Sequence, residues 1–115
     1  NSSVEIGAGT FIDNNPIIIA DKSTIKIGER CLIGPNVFIT DSNFHGIAVK
    51  DRSNGNYTCR AVTIGDDVFI GEGVKILRGA TIGSGAVISA GSIVKSNVPP
   101  NVISSNDSID FQVIN

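Results

Sequence analysis

The sequence predicts an all-β fold, a triangular parallel β-solenoid with about four coils of 18 residues and a long loop at about residues 40–61. Three observations support it. The apolar residues are dominated by 19 Ile and 11 Val, against 2 Leu and no Met or Trp, and β-branched side chains favour strands over helices. There are 13 Gly, which suit sharp turns. A large aliphatic residue also recurs every six residues, which is neither a helical period nor a simple strand alternation.

The six-residue repeat divides the chain into coils of three units. The aliphatic positions are Ile6, Ile12 and Ile18, then Ile27, Ile33 and Ile39, then Ile64, Ile70 and Ile76, and finally Ile82, Ile88 and Val94. The repeat is interrupted after Ile18 and after Ile39, and both interruptions follow a third unit. This predicts coils that begin at Ile6, Ile27, Ile64 and Ile82, with identical side chains stacked on each of three faces.

Each coil alone would bury little, so the coils are expected to pair about 4.8 Å apart as parallel strands. The fifth position of each first unit is small or medium in size, as a narrow interior requires: Thr10, Cys31, Val68 and Ala86. Cys31 is therefore expected in the core rather than as a reactive thiol. We expect one domain over residues 1–115, with coils at 6–99 and a C-terminal tail at 100–115.

The residues that precede the stacked positions point outward, and two of the three outward rows are apolar. These rows are Phe11, Leu32, Phe69 and Val87 on the second face, and Ile17, Phe38, Lys75 and Ile93 on the third. A large exposed apolar strip indicates a contact surface. It predicts self-association, the alternative being that another part of the chain covers it.

Composition excludes several classes of protein. The net charge of −2, without a basic stripe, argues against nucleic-acid binding. No apolar run is long enough to span a membrane, and the two cysteines match neither a disulfide framework nor a metal site. We expect a soluble, cytoplasmic protein with reduced thiols and no bound metal. The first residue is Asn rather than Met, which is consistent with a trimmed chain.

Four segments over about residues 6–103 resemble the hexapeptide-repeat acyltransferases. Within that family they are most similar to the acetyl-CoA-dependent O-acetyltransferases that include the maltose, galactoside and surface-polysaccharide enzymes. The segments are residues 27–37, the stretch from Asp41 to His45, residues 62–71 with the run Phe69-Ile70-Gly71, and Ala90-Gly91-Ser92 together with residues 98–101. The resemblance implies a left-handed coil, an exception to the usual handedness of crossovers, and a homotrimer with active sites between subunits.

The resemblance also assigns the catalytic residue. His45 is the only histidine and lies in the long loop, at the position of the family's general base. An imidazole can accept a proton near neutral pH, as activation of a sugar hydroxyl requires. Without the resemblance, an ordinary solvated loop histidine would be the simpler reading. A single histidine also excludes the three-histidine zinc site of γ-type carbonic anhydrases, which share this fold.

The remaining site residues follow from the same resemblance. Coenzyme binding is expected at Gly71, Glu72, Ala90, Gly91, Lys95 and Ser96, and acceptor binding at Asn15, Asp21, Asp41 and Asn43. Asp41 and Asn43 could orient the His45 ring by hydrogen bonding, although each of these four acceptor-side residues also suits a turn. A passive thiol is the expectation for Cys59.

The chain departs from the family pattern at three places. Glu72 replaces a small residue, often Ser, so that only a main-chain N–H could stabilise an oxyanion there. The usual Thr-Lys pair is Lys95-Ser96 here, so Lys75 and Arg78 are candidate substitute cations, the alternative for each being an ordinary surface charge. The basic end of the tail is missing. The predicted function is O-acetylation of a carbohydrate. The alternatives are a non-catalytic scaffold and an N-acetyltransferase of an amino sugar.

Overall fold

The computed structural model describes residues 1–105 and the backbone of 111–113, and it is a prism of three sheets. Each pass around the prism contributes one short strand to each sheet. The strands of the first face are β1 (Ser3–Ile6), β4 (Thr24–Ile27), β7 (Val62–Ile64), β10 (Thr81–Ile82) and β13 (Asn97–Val98). Those of the second face are β2 (Phe11–Ile12), β5 (Leu32–Ile33), β8 (Phe69–Ile70), β11 (Val87–Ile88) and β14 (Val102–Ser104), with β15 (Phe111–Val113) beside β14. Those of the third face are β3 (Ile17–Ile19), β6 (Phe38–Thr40), β9 (Lys75–Ile76) and β12 (Ile93–Val94).

The strand register confirms the predicted stacks. On the first face Ile6 pairs with Ile27, Ile27 with Ile64, and Ile64 with Ile82, all in parallel. The second and third faces follow the same rule, so that Ile33 lies beside Ile70 and Ile39 beside Ile76. From the second coil to the fourth these side chains are at most 5% exposed. The core is therefore a set of aliphatic columns, and Cys31 is buried within it as expected.

The coils extend further than the sequence indicated. The predicted tail begins at residue 100, but β13 and β14 continue the first and second faces as part of a fifth coil. This coil is hard to see in the repeat because Val98 follows Ile82 by 16 residues rather than 18. The rest of the predicted tail, residues 106–110 and 114–115, lies outside the described residues.

The corners of the prism need backbone conformations that few residues adopt readily. At the second corner, between the second and third faces, Asn15, Asn36, Gly73 and Gly91 all have positive φ angles, for which Asn and Gly are suited. At the third corner, between the third and first faces, the chain carries its two insertions. One adds three residues before β4, and the other is the excursion at 41–61.

No helix in the described part of the chain is long and apolar enough to cross a bilayer.

Candidate active site

The excursion at 41–61 leaves and re-enters the prism at neighbouring points. Ser42 and Cys59 form an isolated antiparallel bridge. The Asn43 N–H donates to the Thr58 carbonyl at 3.2 Å, and the Arg60 N–H donates to the Asp41 carbonyl at 2.8 Å. The two ends are thus joined by main-chain hydrogen bonds, and the excursion projects from a closed neck at the third corner.

Asp41 holds the neck to the first coil. Its side chain is fully buried. One carboxylate oxygen accepts the Asp21 N–H at 2.8 Å, and the other accepts those of Lys22 at 3.2 Å and Ser23 at 2.6 Å. These three donors form the three-residue insertion in the coil above. Both oxygens therefore accept main-chain donors, which fits the turn-forming alternative, and a role of Asp41 in acceptor binding stays a prediction.

Asp21 anchors the far side of the excursion. Its Oδ2 accepts the Tyr57 hydroxyl at 2.7 Å and the Ser42 hydroxyl at 2.9 Å. These two hydrogen bonds hold the pKa of Asp21 below its usual value, and the same carboxylate raises the pKa of Tyr57. The Lys22 ammonium lies 3.6 Å from the centre of the Tyr57 ring. Sequence reasoning missed Tyr57, because the partners are 36 residues apart and no motif joins them.

The expected hydrogen bond from Asp41 or Asn43 to the His45 ring does not form, which corrects that prediction. Asn43 instead donates to the Thr58 hydroxyl at 3.2 Å and accepts from Arg78 Nε at 3.3 Å. It therefore links the neck of the excursion to the next coil. Asn15 lies on a different corner, where its amide donates to Asn36 Oδ1 at 3.3 Å.

His45 is exposed and its tautomer follows from one contact. Nδ1 lies 2.9 Å from the carbonyl oxygen of Gly46. A carbonyl oxygen can only accept, so Nδ1 carries the proton and Nε2 carries the free lone pair. Among the described residues Nε2 has no hydrogen-bond partner. Phe44 precedes the ring with a φ of 66°, and its N–H donates to the Ser42 hydroxyl at 2.8 Å. A sharp turn thus presents a basic nitrogen to solvent.

The predicted coenzyme residues fall into two groups on two corners. Gly71, Glu72, Ala90 and Gly91 belong to successive coils at the second corner, where the Gly91 N–H donates to the Glu72 carbonyl at 2.8 Å. A Cβ on Gly71 would lie 2.6 Å from the Ala90 nitrogen, so glycine is required for the coils to stack. A Cβ on Gly91 would meet nothing within 4 Å, which leaves this corner open to a ligand.

The second group lies at the third corner, beside the excursion. Lys95 and Ser96 line an open depression of about 530 Å³ whose other lining residues are Arg60, Arg78, Gly79 and Asn97. The third face separates this depression from the second corner. A face of about five extended residues spans roughly 16 Å. One copy of the chain therefore does not bring the two groups together. Lys75 belongs to neither, because it lies on the third face beside Phe38 and Ile93.

Most residues of the outward apolar rows are exposed as predicted, whereas Val87 and Phe38 are half-buried. On the second face Phe11, Leu32 and Phe69 are 59%, 53% and 49% exposed, and they line a shallow depression of about 250 Å³. On the third face Ile17 and Ile93 are 51% and 48% exposed. These neighbouring side chains form a continuous apolar strip, whereas the hydrophobic residues on most protein surfaces are scattered singly.

Comparison with known proteins identifies families and relatives that share this repeat. Residues 61–96 match the family described as bacterial transferase hexapeptide (six repeats), and residues 24–54 match the hexapeptide repeat of succinyl-transferase. The galactoside O-acetyltransferase of Escherichia coli (strain K12) is 39% identical over 104 residues, which are 90% of this chain and 50% of the relative. The chain thus spans half the length of that curated relative.

Solved structures agree with the sequence comparison. A maltose O-acetyltransferase from Clostridium difficile 630 is 32% identical, with a TM-score of 0.87 over 100% of this chain and 67% of its own. A hexapeptide-repeat acetyltransferase from Vibrio cholerae O1 biovar eltor, complexed with acetyl coenzyme A, is 31% identical, with a TM-score of 0.86 over 96% of this chain and 62% of its own. The fold is the left-handed parallel β-helix of these enzymes, and the chain belongs to the hexapeptide-repeat acyltransferase family.

Proposed function

We propose that this chain forms the coil domain of an acetyl-CoA-dependent O-acetyltransferase that acetylates a hydroxyl group of a carbohydrate. The observation that carries the proposal is the presentation of His45, whose Nδ1–H is held by a carbonyl while Nε2 is left free and exposed. Relatives that are named galactoside and maltose O-acetyltransferases support the reaction class and the type of acceptor.

The reaction is a direct transfer. His45 Nε2 takes the proton of the acceptor hydroxyl as its oxygen bonds to the acetyl carbonyl carbon. The carbon–sulfur bond then breaks, and the proton passes to the departing thiolate. General-base catalysis of this kind contributes about 10²–10⁴ in rate. The carbonyl of Gly46 accepts the Nδ1–H before and after proton transfer, so it keeps the ring in one orientation with Nε2 toward the acceptor hydroxyl.

The oxyanion that forms during transfer needs a hydrogen-bond donor. Glu72 stands where relatives often have Ser, and its side chain is an acceptor when ionised. Its main-chain N–H has no hydrogen-bond partner among the described residues, and it lies at the open second corner beside Ala90. We assign the oxyanion contact to this N–H. A preorganised donor of this kind contributes about 10²–10³ in rate.

The complete site requires a second copy of the chain. His45 projects from the third corner, whereas Glu72, Ala90 and Gly91 lie at the second, roughly 16 Å away across one face. In the proposed homotrimer, the excursion at the third corner of one copy lies against the second corner of its neighbour, and the apolar row of the second face belongs to the contact. That arrangement covers Phe11, Leu32 and Phe69 and unites the two groups of residues.

The test is acetyl transfer from acetyl-CoA to a panel of glycans, measured as the release of the free thiol of coenzyme A. His45→Ala should lower kcat by about 10²–10⁴-fold. Val49→Ala is the matched control, because Val49 lies in the same excursion and is 75% exposed, and it should retain the wild-type rate within twofold. Equal rates for His45→Ala and wild type would refute the assigned base. Transfer only to amino sugars would identify an N-acetyltransferase, and absence of coenzyme binding would favour a scaffold.

A further inference from the structure

The depression at the third corner carries three cations from three different coils. Arg60 precedes β7, Arg78 lies at the equivalent place 18 residues later, and Lys95 follows β12. The Gly79 N–H donates to the Arg60 carbonyl at 3.3 Å, which sets the two arginines in register on adjacent coils about 4.8 Å apart. Both side chains line the same depression, where their like charges repel each other.

No neighbouring carboxylate relieves that repulsion. Within residues 1–105, no acidic side chain lies within ion-pair distance of Arg60, Arg78 or Lys95, and the ion pairs that do occur there belong to Arg30. The remaining lining residues are Gly79, Ser96 and Asn97, which are uncharged and small or polar. The depression is thus a concentration of positive charge on a chain whose net charge is −2.

Arg78 has a second connection that Arg60 and Lys95 lack. Its Nε donates to Asn43 Oδ1 at 3.3 Å, and Asn43 lies two residues before His45. A guanidinium is planar and has five donors, so one Arg can hold an amide through Nε and an anion through its two terminal nitrogens. A lysine ammonium has no such divided geometry.

We propose that Arg60, Arg78 and Lys95 form an anion site for a phosphate group of coenzyme A, and that Arg78 is also a positioning residue that ties the bound phosphate to the turn carrying His45. The proposal rests on the proposed function for the identity of its ligand. It assigns the coenzyme contacts to two arginines in place of the basic residues that the sequence lacks at the end of its tail. Bidentate binding of phosphate by arginine suits this role.

Calorimetric titration with coenzyme A tests the site. Arg60→Gln and Arg78→Gln should each weaken binding at least tenfold, since each removes charge-assisted hydrogen bonds. Lys26→Gln, which removes an exposed cation from the first face, should change it less than twofold. Inorganic phosphate is the second ligand, and it should compete with coenzyme A on the wild type. Arginine variants that bind coenzyme A within twofold of wild type would overturn the site.

Steady-state kinetics test the positioning role. Arg60→Gln should raise the KM for acetyl-CoA and leave kcat within twofold. Arg78→Gln should raise KM and also lower kcat at least tenfold, and Arg78→Lys should restore KM more than kcat. Equal kcat values for Arg60→Gln and Arg78→Gln would overturn the positioning role. Unchanged unfolding midpoints establish that the variants fold. A wild type that binds no coenzyme A would overturn the proposed function, whereas wild-type binding with indifferent arginine variants would overturn only this site.

Discussion

Replacement of Asp41 tests how the excursion is held to the prism. The buried carboxylate accepts three main-chain N–H groups, at 2.8, 3.2 and 2.6 Å. A hydrogen bond to a charged group contributes about 1.5–3 kcal/mol, and unpaired buried donors add to the loss. Two of the three bonds are short, so Asp41→Ala should lower the free energy of unfolding by about 4 kcal/mol. Asp41→Asn should lower it by about 2–3 kcal/mol, because it turns an NH₂ group toward main-chain donors.

The assay is equilibrium unfolding in urea at one fixed protein concentration, because self-association makes apparent stability depend on concentration. Glu5→Gln is the control. Glu5 is an exposed acidic residue on the first face, and its replacement should change stability by no more than about 0.5 kcal/mol. A loss below about 1 kcal/mol for Asp41→Ala would show that the three donors find other partners. The claim that these main-chain N–H groups need the Asp41 carboxylate as their acceptor would then be wrong.

Three further measurements probe the corners and the core. A Cβ at Gly28 would lie 2.6 Å from a carbonyl carbon of the next coil. A Cβ at Gly73 would have no atom within 4 Å, and the only cost there is the positive φ of 70°. Gly28→Ala should therefore cost about 2–3 kcal/mol and Gly73→Ala about 1 kcal/mol in thermal unfolding, and the reverse order would contradict the stacking. Ser92→Ala should stabilise by about 1 kcal/mol, since the Ser92 hydroxyl is buried without a partner among the described residues; destabilisation would mean that the hydroxyl is bonded. Tyr57 is the only tyrosine, and its raised pKa means that its bond to Asp21 persists below pH 10.0 and is lost as the pH rises through the raised value. Asp21→Asn should return that pKa toward 10.0 in an absorbance titration, and an unchanged titration would rule out the bond.

Most of the fold could be predicted because the repeat has a fixed period. Ile64, Ile70 and Ile76 are six residues apart and lie on the three faces in turn. A residue 18 positions later therefore returns to the same face. The interruptions after Ile18 and Ile39 showed where a coil closes, and the register agrees with that division. The exposed apolar rows could be predicted for the same reason, since they alternate with the buried positions.

The candidate site was less predictable. The Asp41 carboxylate was expected near His45 but binds the main chain of residues 21–23 instead. The Asp21 carboxylate receives the Tyr57 and Ser42 hydroxyls, which the sequence did not indicate, and its contact with an acceptor stays a prediction. In both cases the residue lies at the expected corner, but its hydrogen-bond partners come from another coil or from the far end of the excursion.

The sequence by itself determined the prism, because β-branched side chains at a regular spacing can be buried together only if successive coils lie directly over one another. Tertiary structure alone decided which polar groups meet at the corners. Those contacts depend on where the 41–61 excursion closes and on which residues the shorter insertion places beside it, and neither follows from the six-residue repeat. The link between Arg78 and Asn43 is of this second kind, since it joins two segments that become neighbours only when the neck of the excursion has formed.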